Sequence, residues 1–335
     1  MSHFSWNPNN KIDIDTFLDK RSNNSKFASR YFNNIPIFEI ANIDIFNNEV
    51  KEDIYNSFYN ESGAIIIKGV YTKELMNEYN NWCEKMLKIS ENDLNSRHPK
   101  QKGKFLINDI IGRMSLNNPD LFMKILNNNN LLILLDNLLG CFRFGSCTTH
   151  WINPGVDRQL SHVDYPIHIG SGKFWDNSVD KMKSITTKYQ LNHILPYYSV
   201  QAYIASDYTS KHNGSTEVIP GSHKIDNLDV LLHQKEYYDK FEKHFVNVEL
   251  DQGDILIFNR RLCHRGGKNI SDFRRNSLIM QCVWFWGLGQ EEIDYDNLIN
   301  NLNKSELFMK LSKDEKEQFL IRFKQPYPIN VKNNA

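Results

Sequence analysis

The second half of the chain is a succession of short β-type segments, and this feature constrains the fold more than any other. From about residue 142 onward, about seven segments are rich in β-branched and aromatic residues and are bounded by Gly, Pro, Asn or Asp. In order, they read CFRFGSCTTHWIN, RQLSHVDYPIHIG, YYSVQAYIASD, GSTEVIP, FVNVEL, DILIFNRR and NSLIMQCVWFWGLG. Most of them follow one another without an intervening helix, which favours an antiparallel sandwich or barrel over an α/β fold. We therefore predict a mainly β core.

The first half of the chain reads mainly as helices that flank this core. The segment NEVKEDIYNSFYNESG and the segment after Thr72 carry apolar residues at helical spacing, and Thr72 is a suitable N-cap. Between them, AIIIKGV is predicted to be a short buried strand. The stretch NPDLFMKILNNNNLLILLDNLLG predicts one helix, or two helices that meet near the asparagine run, and Gly140 ends it.

The chain shows no internal repeat and no convincing linker, so we predict one domain with three parts. Residues 1–140 are predicted to form a helical flank that packs on the core, residues 141–290 the β core, and residues 291–335 a C-terminal helical segment. The core contains an insertion at residues 171–196 that is too long for a hairpin loop. We predict that this insertion is a lid over a substrate.

The charge balance and the cysteine pattern exclude several classes of function. Forty basic and forty acidic residues leave no net charge, so the composition does not indicate binding to nucleic acid or to an anionic membrane. Five cysteines without a CxxC pair suit a reducing compartment. The first residues lack the apolar region of a secretory signal, and the run NLLILLDNLLG is too short for a membrane span. We expect a cytoplasmic protein.

One β-type segment carries two polar residues that share a face. His162 and Asp164 lie two residues apart in an alternating run, so an imidazole and a carboxylate point to one side of the strand. A hydrogen-bonded pair at the rim of a sheet is the simpler interpretation of this motif alone. His264, which follows the strand-type run DILIF near a glycine turn, is the best candidate for a third ligand. Two histidines and one carboxylate, with the opposite side open, are typical of non-haem Fe(II) oxygenases.

A second polar pattern occurs in the last β-type segment. Alternation places Arg275, Ser277, Ile279 and Gln281 on one face of the strand and Arg274 on the other. An inward-facing guanidinium must be paired, because an unpaired buried charge is too costly. A dicarboxylate co-substrate would supply the partner through a bidentate contact.

Four stretches of the sequence together resemble the phytanoyl-CoA dioxygenase family of Fe(II)/2-oxoglutarate oxygenases. The resemblance covers roughly residues 140–290 and is carried by LSHVDYP, HNGSTEVIPGSHK, QGDILIFNRRLCHRGG and RRNS. It implies a double-stranded β-helix core, the jelly-roll or cupin-like fold, with Fe(II) bound by His162, Asp164 and His264. It also implies that Arg275 binds the co-substrate 2-oxoglutarate.

The same resemblance implies further contacts to the co-substrate from Gln159, Thr216 and Ser277. One position departs from the family: some members have a serine two residues after the distal metal histidine, where this chain has Gly266. The contact of that serine is lost here or is replaced by Ser277. His223 belongs to the family signature but lies outside the metal triad, and we interpret it as a structural turn histidine.

The resemblance implies the reaction as well. We expect the protein to use Fe(II), 2-oxoglutarate and O2 to hydroxylate an unactivated C–H bond of a small-molecule substrate, with release of succinate and CO2. Asp164 favours hydroxylation, because related halogenases have a small residue at that position. Two other classes stay open: a cupin-like metalloenzyme such as an isomerase, and a non-catalytic jelly-roll binding protein. The isomerase would have no use for Arg275 and Ser277, and a non-catalytic protein would be expected to have lost at least one metal ligand, whereas all three are present.

Overall fold

The computed structural model describes residues 17, 35–40, 48–90, 104–164, 199–225, 228–232, 235–284 and 293–324. Within these ranges the strands are β1 (Ile37–Glu39), β2 (Ala64–Lys68), β3 (Lys104–Ile107), β4 (Phe142–Ile152), β5 (Ser199–Ile204), β6 (Thr216–Val218), β7 (Val246–Asn247), β8 (Ile255–Asn259), β9 (His264–Gly266) and β10 (Arg275–Trp284). The α-helices are α1 (Asn48–Tyr55), α2 (Lys73–Ser90), α3 (Ile110–Asn117), α4 (Pro119–Leu126), α5 (Asn129–Leu139), α6 (Leu228–Leu231), α7 (Lys235–Glu242), α8 (Tyr295–Leu302), α9 (Glu306–Met309) and α10 (Lys313–Leu320).

These strands form two sheets. The large sheet has seven strands in the order β1-β2-β8-β5-β10-β4-β3, and the small sheet has three in the order β7-β6-β9. The β1–β2 pair is parallel, whereas the other pairs are antiparallel. Neighbours in the sheets are mostly distant in sequence, as expected for a jelly roll. The predicted mainly β, jelly-roll core is confirmed.

The alternation of side chains along the central strands divides them between two apolar cores. In β2, Ile65 and Ile67 pack with the helices on the outer face of the large sheet, whereas Ala64 and Ile66 pack toward the small sheet. In β10, Leu278 belongs to the helix-side core. Successive side chains of a strand point to opposite faces. These positions therefore show which side chains of β2 and β10 face the space between the two sheets.

Three helices of the first half have the predicted boundaries: α2 begins after Thr72, and α4 and α5 meet at the asparagine run. The Thr72 hydroxyl accepts a hydrogen bond from Leu75 N (3.2 Å) and caps α2. The asparagine run separates α4 from α5, and the Asn128 side chain accepts from Leu131 N (3.1 Å) at the start of α5. Asparagine is a favourable N-cap because its side-chain oxygen binds an otherwise unpaired amide of the first helical turn.

The structure differs from the sequence-based expectation at three short strands, at one segment and at helices α3, α6 and α7, which were not foreseen. Strands β1 and β3 lie in the part that the sequence indicated as a helical flank, and β9 was not foreseen as a strand. A strand was expected over residues 158–170, but the described part, residues 158–164, forms only one isolated bridge to β9 and is called the HxD segment below. The predicted lid at residues 171–196 lies outside the described residues. Within the described ranges, no helix is long and apolar enough to cross a membrane.

Candidate active site

The HxD segment lies antiparallel to β9, and this pairing brings His162 next to His264. The backbone amide of each histidine donates to the carbonyl of the other at 3.0 Å. Farther along, Gln159 N donates to Gly266 O at 2.9 Å. Gln159 and His162 are three residues apart, whereas their partners are two apart, so the HxD segment contains one extra residue, as in a β-bulge. This bulge explains why a regular strand is not formed.

The three predicted metal ligands converge on one point. Their ligand atoms all lie within 4.8 Å of one another. His162 Nε2 is 3.8 Å from Asp164 Oδ1, and His264 Nε2 is 3.6 Å from Asp164 Oδ2. A hydrogen bond at Nδ1 orients each imidazole. Nδ1 of His162 contacts the Leu160 carbonyl (2.8 Å), and Nδ1 of His264 contacts the Leu262 carbonyl (2.9 Å). A carbonyl only accepts, so Nδ1 carries the proton and Nε2 presents its lone pair to an ion.

The surroundings of His264 and Asp164 favour the forms of these two groups that bind metal. Burial lowers the pKa of His264 to about 4, so its imidazole is neutral near pH 7. The buried guanidinium of Arg260 lies 3.8 Å from Asp164 Oδ2 and favours the carboxylate form. Two imidazole nitrogens and one carboxylate, all on one side, fit Fe(II).

The cavity between the two sheets extends from this triad to Arg275. Arg275 Nη1 donates to the Tyr203 hydroxyl and to Ser277 Oγ (3.3 Å), and Nη2 donates to the Gly214 carbonyl at 2.9 Å. No carboxylate of the described residues pairs with it, and burial lowers its pKa to about 10. A buried cation with only neutral partners fits an anionic ligand, because a carboxylate would restore the interactions that burial removes.

Lys104 adds a second cation to the wall of this cavity. It lies on β3 opposite Ile152 of β4, and Ile152 in turn lies opposite Arg275 of β10. The three side chains line the cavity in one row across the sheet. Burial and the charge of Arg275 lower the pKa of Lys104 to about 7. The sequence analysis did not identify Lys104 as a residue of the site. If KFLI had been recognised as a strand, the shared face of Lys104 and Leu106 would have been the available signal.

Gln159, Thr216 and Gly266 lie together at the cavity wall near the small sheet. Gln159 Oε1 accepts a hydrogen bond from Gly266 N at 2.6 Å. A Cβ atom at residue 266 would lie only 2.8 Å from the same oxygen, so the Gln159 amide occupies the space into which a side chain at that position would project. Thr216 lies opposite Gly266 in the β6–β9 pair. Ser277 lies beside Arg275, with its Oγ 3.3 Å from Arg275 Nη1.

Two residues that the sequence set apart from the site lie outside it. Arg274 points to the other face, where it donates to Glu84 Oε1 (2.8 Å) and stacks on the Trp151 ring at 3.7 Å. His223 is buried and its Nε2 contacts the Tyr59 carbonyl at 3.1 Å. His223 therefore makes an ordinary structural contact in the described part of the chain.

The two sheets enclose a cavity that has a His-Asp-His triad at one end and a buried arginine at the other. This arrangement defines a jelly-roll protein of the non-haem oxygenase type. The family model described as Phytanoyl-CoA dioxygenase (PhyH) matches residues 59–277, which is more than half of the chain. The chain belongs to this family.

Several known proteins are similar to parts of this chain. The iron/alpha-ketoglutarate-dependent dioxygenase ausO of Aspergillus calidoustus is 34% identical over 89 residues, which are 25% of this chain and 28% of that protein. The match thus spans less than a third of the relative's own length. The non-haem alpha-ketoglutarate-dependent epimerase SnoN from nogalamycin biosynthesis has a similar fold, with a TM-score of 0.54, 15% identity and coverage of 74% of this chain and 87% of that one.

The HygX structure from Streptomyces hygroscopicus, with nickel and 2-oxoglutarate bound, is also similar in fold. Its TM-score is 0.52 at 15% identity, with coverage of 72% of this chain and 90% of that one. At such identities these structures show the shared fold alone. Family membership and fold together support an iron- and 2-oxoglutarate-dependent oxygenase.

Proposed function

We propose that this protein is an Fe(II)- and 2-oxoglutarate-dependent oxygenase that hydroxylates an unactivated C–H bond of a small molecule. One observation carries the proposal: a single cavity has three convergent metal-ligand side chains at one end and a buried guanidinium without a carboxylate partner among the described residues at the other. A cupin-like isomerase has no use for this second charged end, and a simple binding protein has no need of the complete metal triad.

Each residue of the cavity has a distinct role in this proposal. His162, Asp164 and His264 hold the iron from one side and leave the opposite side open. Arg275 binds the distal carboxylate of 2-oxoglutarate, supported by Ser277, which lies 3.3 Å from its Nη1. When bound, iron, 2-oxoglutarate and O2 supply the oxidising power, and 2-oxoglutarate leaves as succinate and CO2.

Other side chains complete the proposed co-substrate site. Lys104 adds positive charge next to Arg275, which favours a dianionic ligand over a neutral one. Gln159 is oriented by its hydrogen bond to Gly266, which leaves its amide nitrogen available to the co-substrate. Thr216 contributes a hydroxyl from the facing strand of the small sheet.

The protein's contribution to the reaction is position and exclusion of water. The Phe258 ring packs against the His264 imidazole with ring centroids 4.9 Å apart, which limits its rotation and keeps Nε2 aimed at the metal position. Ile152 and Ile279 line the cavity between its charged ends. An apolar wall of this kind strengthens the contacts to a bound carboxylate because water is excluded.

The experiment that tests the proposed function uses purified protein under nitrogen. Fe(II) and 2-oxoglutarate are added, and the metal-to-ligand charge-transfer absorbance is recorded. Wild type should develop this absorbance and Asp164→Ala should not, because the variant lacks one ligand. Exposure to air should then produce succinate in a 2-oxoglutarate-dependent manner. Absence of the absorbance in wild type at saturating 2-oxoglutarate would falsify the proposal.

A second measurement addresses the reaction type, because the fold neighbours include an epimerase. Wild type, Fe(II) and 2-oxoglutarate are incubated with a metabolite extract under 18O2, and the products are analysed by mass spectrometry. Hydroxylation adds one 18O atom to the product. A product of unchanged mass that still requires 2-oxoglutarate contradicts hydroxylation but leaves the oxygenase class in place.

A further inference from the structure

Four charged side chains form a cluster directly behind the metal site. This charge cluster consists of Arg158, Glu217, Glu242 and Arg265. Arg265 Nε is 2.5 Å from Glu217 Oε2, and its two terminal nitrogens contact the Glu242 carboxylate at 2.6 and 2.9 Å. Arg158 Nη2 is 3.2 Å from Glu217 Oε1, and Arg158 Nη1 is 3.5 Å from Glu242 Oε1. Two guanidinium groups thus share two carboxylates.

The HxD segment and β9 both carry metal ligands, and each contributes one arginine to the cluster. Both arginines contact the same two glutamates. Arg265 follows His264 in β9 and points to the opposite face of the strand. Arg158 belongs to the HxD segment and precedes His162 by four residues. Glu217 lies directly opposite Arg265 in the β6–β9 pair. The side chains behind the sheet therefore connect the two histidine-bearing segments.

Helix α7 closes the cluster from outside. It supplies Glu242 at its last residue, and the Phe245 ring that follows lies 3.7 Å below the Arg265 guanidinium. Arg265 is buried, and its guanidinium is hydrogen-bonded to the carboxylates of Glu217 and Glu242. The two glutamates together therefore determine the orientation of Arg265.

The backbone alone holds this part of the molecule weakly. The small sheet consists of strands of two or three residues. The HxD segment is joined to β9 by backbone hydrogen bonds at Gln159 and His162 around a bulge, without a continuous ladder. Strand pairs this short are marginal without further contacts. A shift of the HxD segment along β9 would separate His162 from His264, because register determines which side chains meet.

We propose that the charge cluster positions the metal site, by holding the HxD segment and β9 in the register that brings the ligand atoms of His162, Asp164 and His264 together. The four residues act through the ligands and do not touch the metal. The inference rests on the proposed metal site. It assigns a role to side chains on the face of the small sheet opposite His264.

A distant ion pair of similar geometry provides a matched control. Arg322 contacts Asp136 through two hydrogen bonds of 2.8 and 2.6 Å, between helix α5 and the end of the described chain. The exposed fractions are 38% for Asp136 and 45% for Glu242, so Asp136→Asn and Glu242→Gln remove comparable charges from comparable surroundings. Only Glu242 belongs to an element that contacts the metal-binding segments through the cluster.

The test is a titration of apo protein with Co(II), followed by the visible absorbance of the bound ion. Glu242→Gln should weaken Co(II) binding by roughly tenfold or more, the range seen when supports of metal ligands are removed. Arg158→Ala should weaken it by a smaller factor, and Arg158→Lys should recover most of the loss because the charge is kept. Asp136→Asn should bind Co(II) like wild type. Thermal unfolding of each apo variant reports general loss of stability separately.

The outcomes distinguish the possible explanations. Glu242→Gln and Arg158→Ala with the Co(II) affinity of wild type would overturn the positioning role, even if both unfold at lower temperature. Equal weakening in Asp136→Asn would also overturn it, because the effect would then follow from general destabilisation. A wild-type protein that does not bind Co(II) would contradict the proposed metal site itself. Glu217→Gln is less suitable as the main variant, because Glu217 is buried and its replacement can unfold the sheet.

Discussion

Replacement of Arg275 by alanine tests the proposed co-substrate site most directly. The guanidinium donates to the Tyr203 hydroxyl, to Ser277 Oγ (3.3 Å) and to the carbonyls of Gly214 (2.9 Å) and Asn213 (3.3 Å). All of these acceptors are neutral, so the variant removes a positive charge without leaving one of them as an unpaired buried anion. We therefore expect Arg275→Ala to fold, with a Tm close to that of wild type.

The magnitude of the effect on binding follows from the burial of the guanidinium. Burial lowers the pKa of Arg275 from 12.5 to about 10. At ~1.4 kcal/mol for each pKa unit, the charged side chain gives up about 3 kcal/mol of solvation in the folded protein. A bidentate carboxylate restores free energy of this order, within the ~2–5 kcal/mol typical of buried charge pairs. Arg275→Ala should thus weaken 2-oxoglutarate binding by roughly 200-fold, and Arg275→Lys by less, because lysine keeps the charge but loses the fork.

The assay is a titration of the anaerobic Fe(II) complex with 2-oxoglutarate, followed by the charge-transfer absorbance. Arg274→Ala is the matched control, since it removes the same charge from the adjacent position. Arg274 pairs with Glu84 and stacks on Trp151 on the other face of the strand, so its loss should leave the affinity for 2-oxoglutarate unchanged.

Two results would refute this reasoning. If Arg274→Ala weakens binding and Arg275→Ala does not, the co-substrate lies on the other face of β10 and the cavity is not its site. If neither variant changes the affinity, the buried guanidinium serves a different anion. A large drop in the Tm of Arg275→Ala would show instead that the arginine stabilises the fold.

Three further predictions follow from the structure. Lys104, with its pKa lowered to about 7, should take up a proton when a dianion binds. Binding of 2-oxoglutarate should therefore weaken from pH 7 to pH 9 in wild type but not in Lys104→Met. Equal pH profiles of the two proteins in the titration contradict this prediction. Gly266→Ser should displace the Gln159 amide, so its effect on 2-oxoglutarate affinity should shrink in a Gln159→Ala background; additive effects in the double-mutant cycle contradict this. Burial lowers the pKa of His223 from 6.5 to about 3, so the stability that it contributes above pH 6.5 is lost as the pH falls toward 3. His223→Gln should reduce this acid-induced loss of unfolding free energy by up to ~1.4 kcal/mol per pH unit. Parallel curves of unfolding free energy against pH for the two proteins refute this prediction.

The local pattern of the sequence was sufficient to predict much of the fold and part of the site. Alternation in β10 predicted that Arg275 and Arg274 point to opposite faces, and the structure has them so. The spacing of His162 and Asp164 predicted a shared face, and their ligand atoms lie 3.8 Å apart. These predictions depend on one strand or one short segment at a time, and the period of two is a property of the local backbone.

Pairing between distant segments was decided by the tertiary structure alone. The sequence did not mark Lys104 as part of the site, because KFLI is recognisable as a strand only when it lies against β4. The HxD segment reads as a strand, yet one extra residue opposite β9 converts it into a bulge. The partners of Arg265 come from β6 and from helix α7, which no spacing in the sequence indicates. The physical reason is that cross-strand and ion-pair contacts are non-local: each depends on the register of two segments, and the register is determined by how the whole core packs.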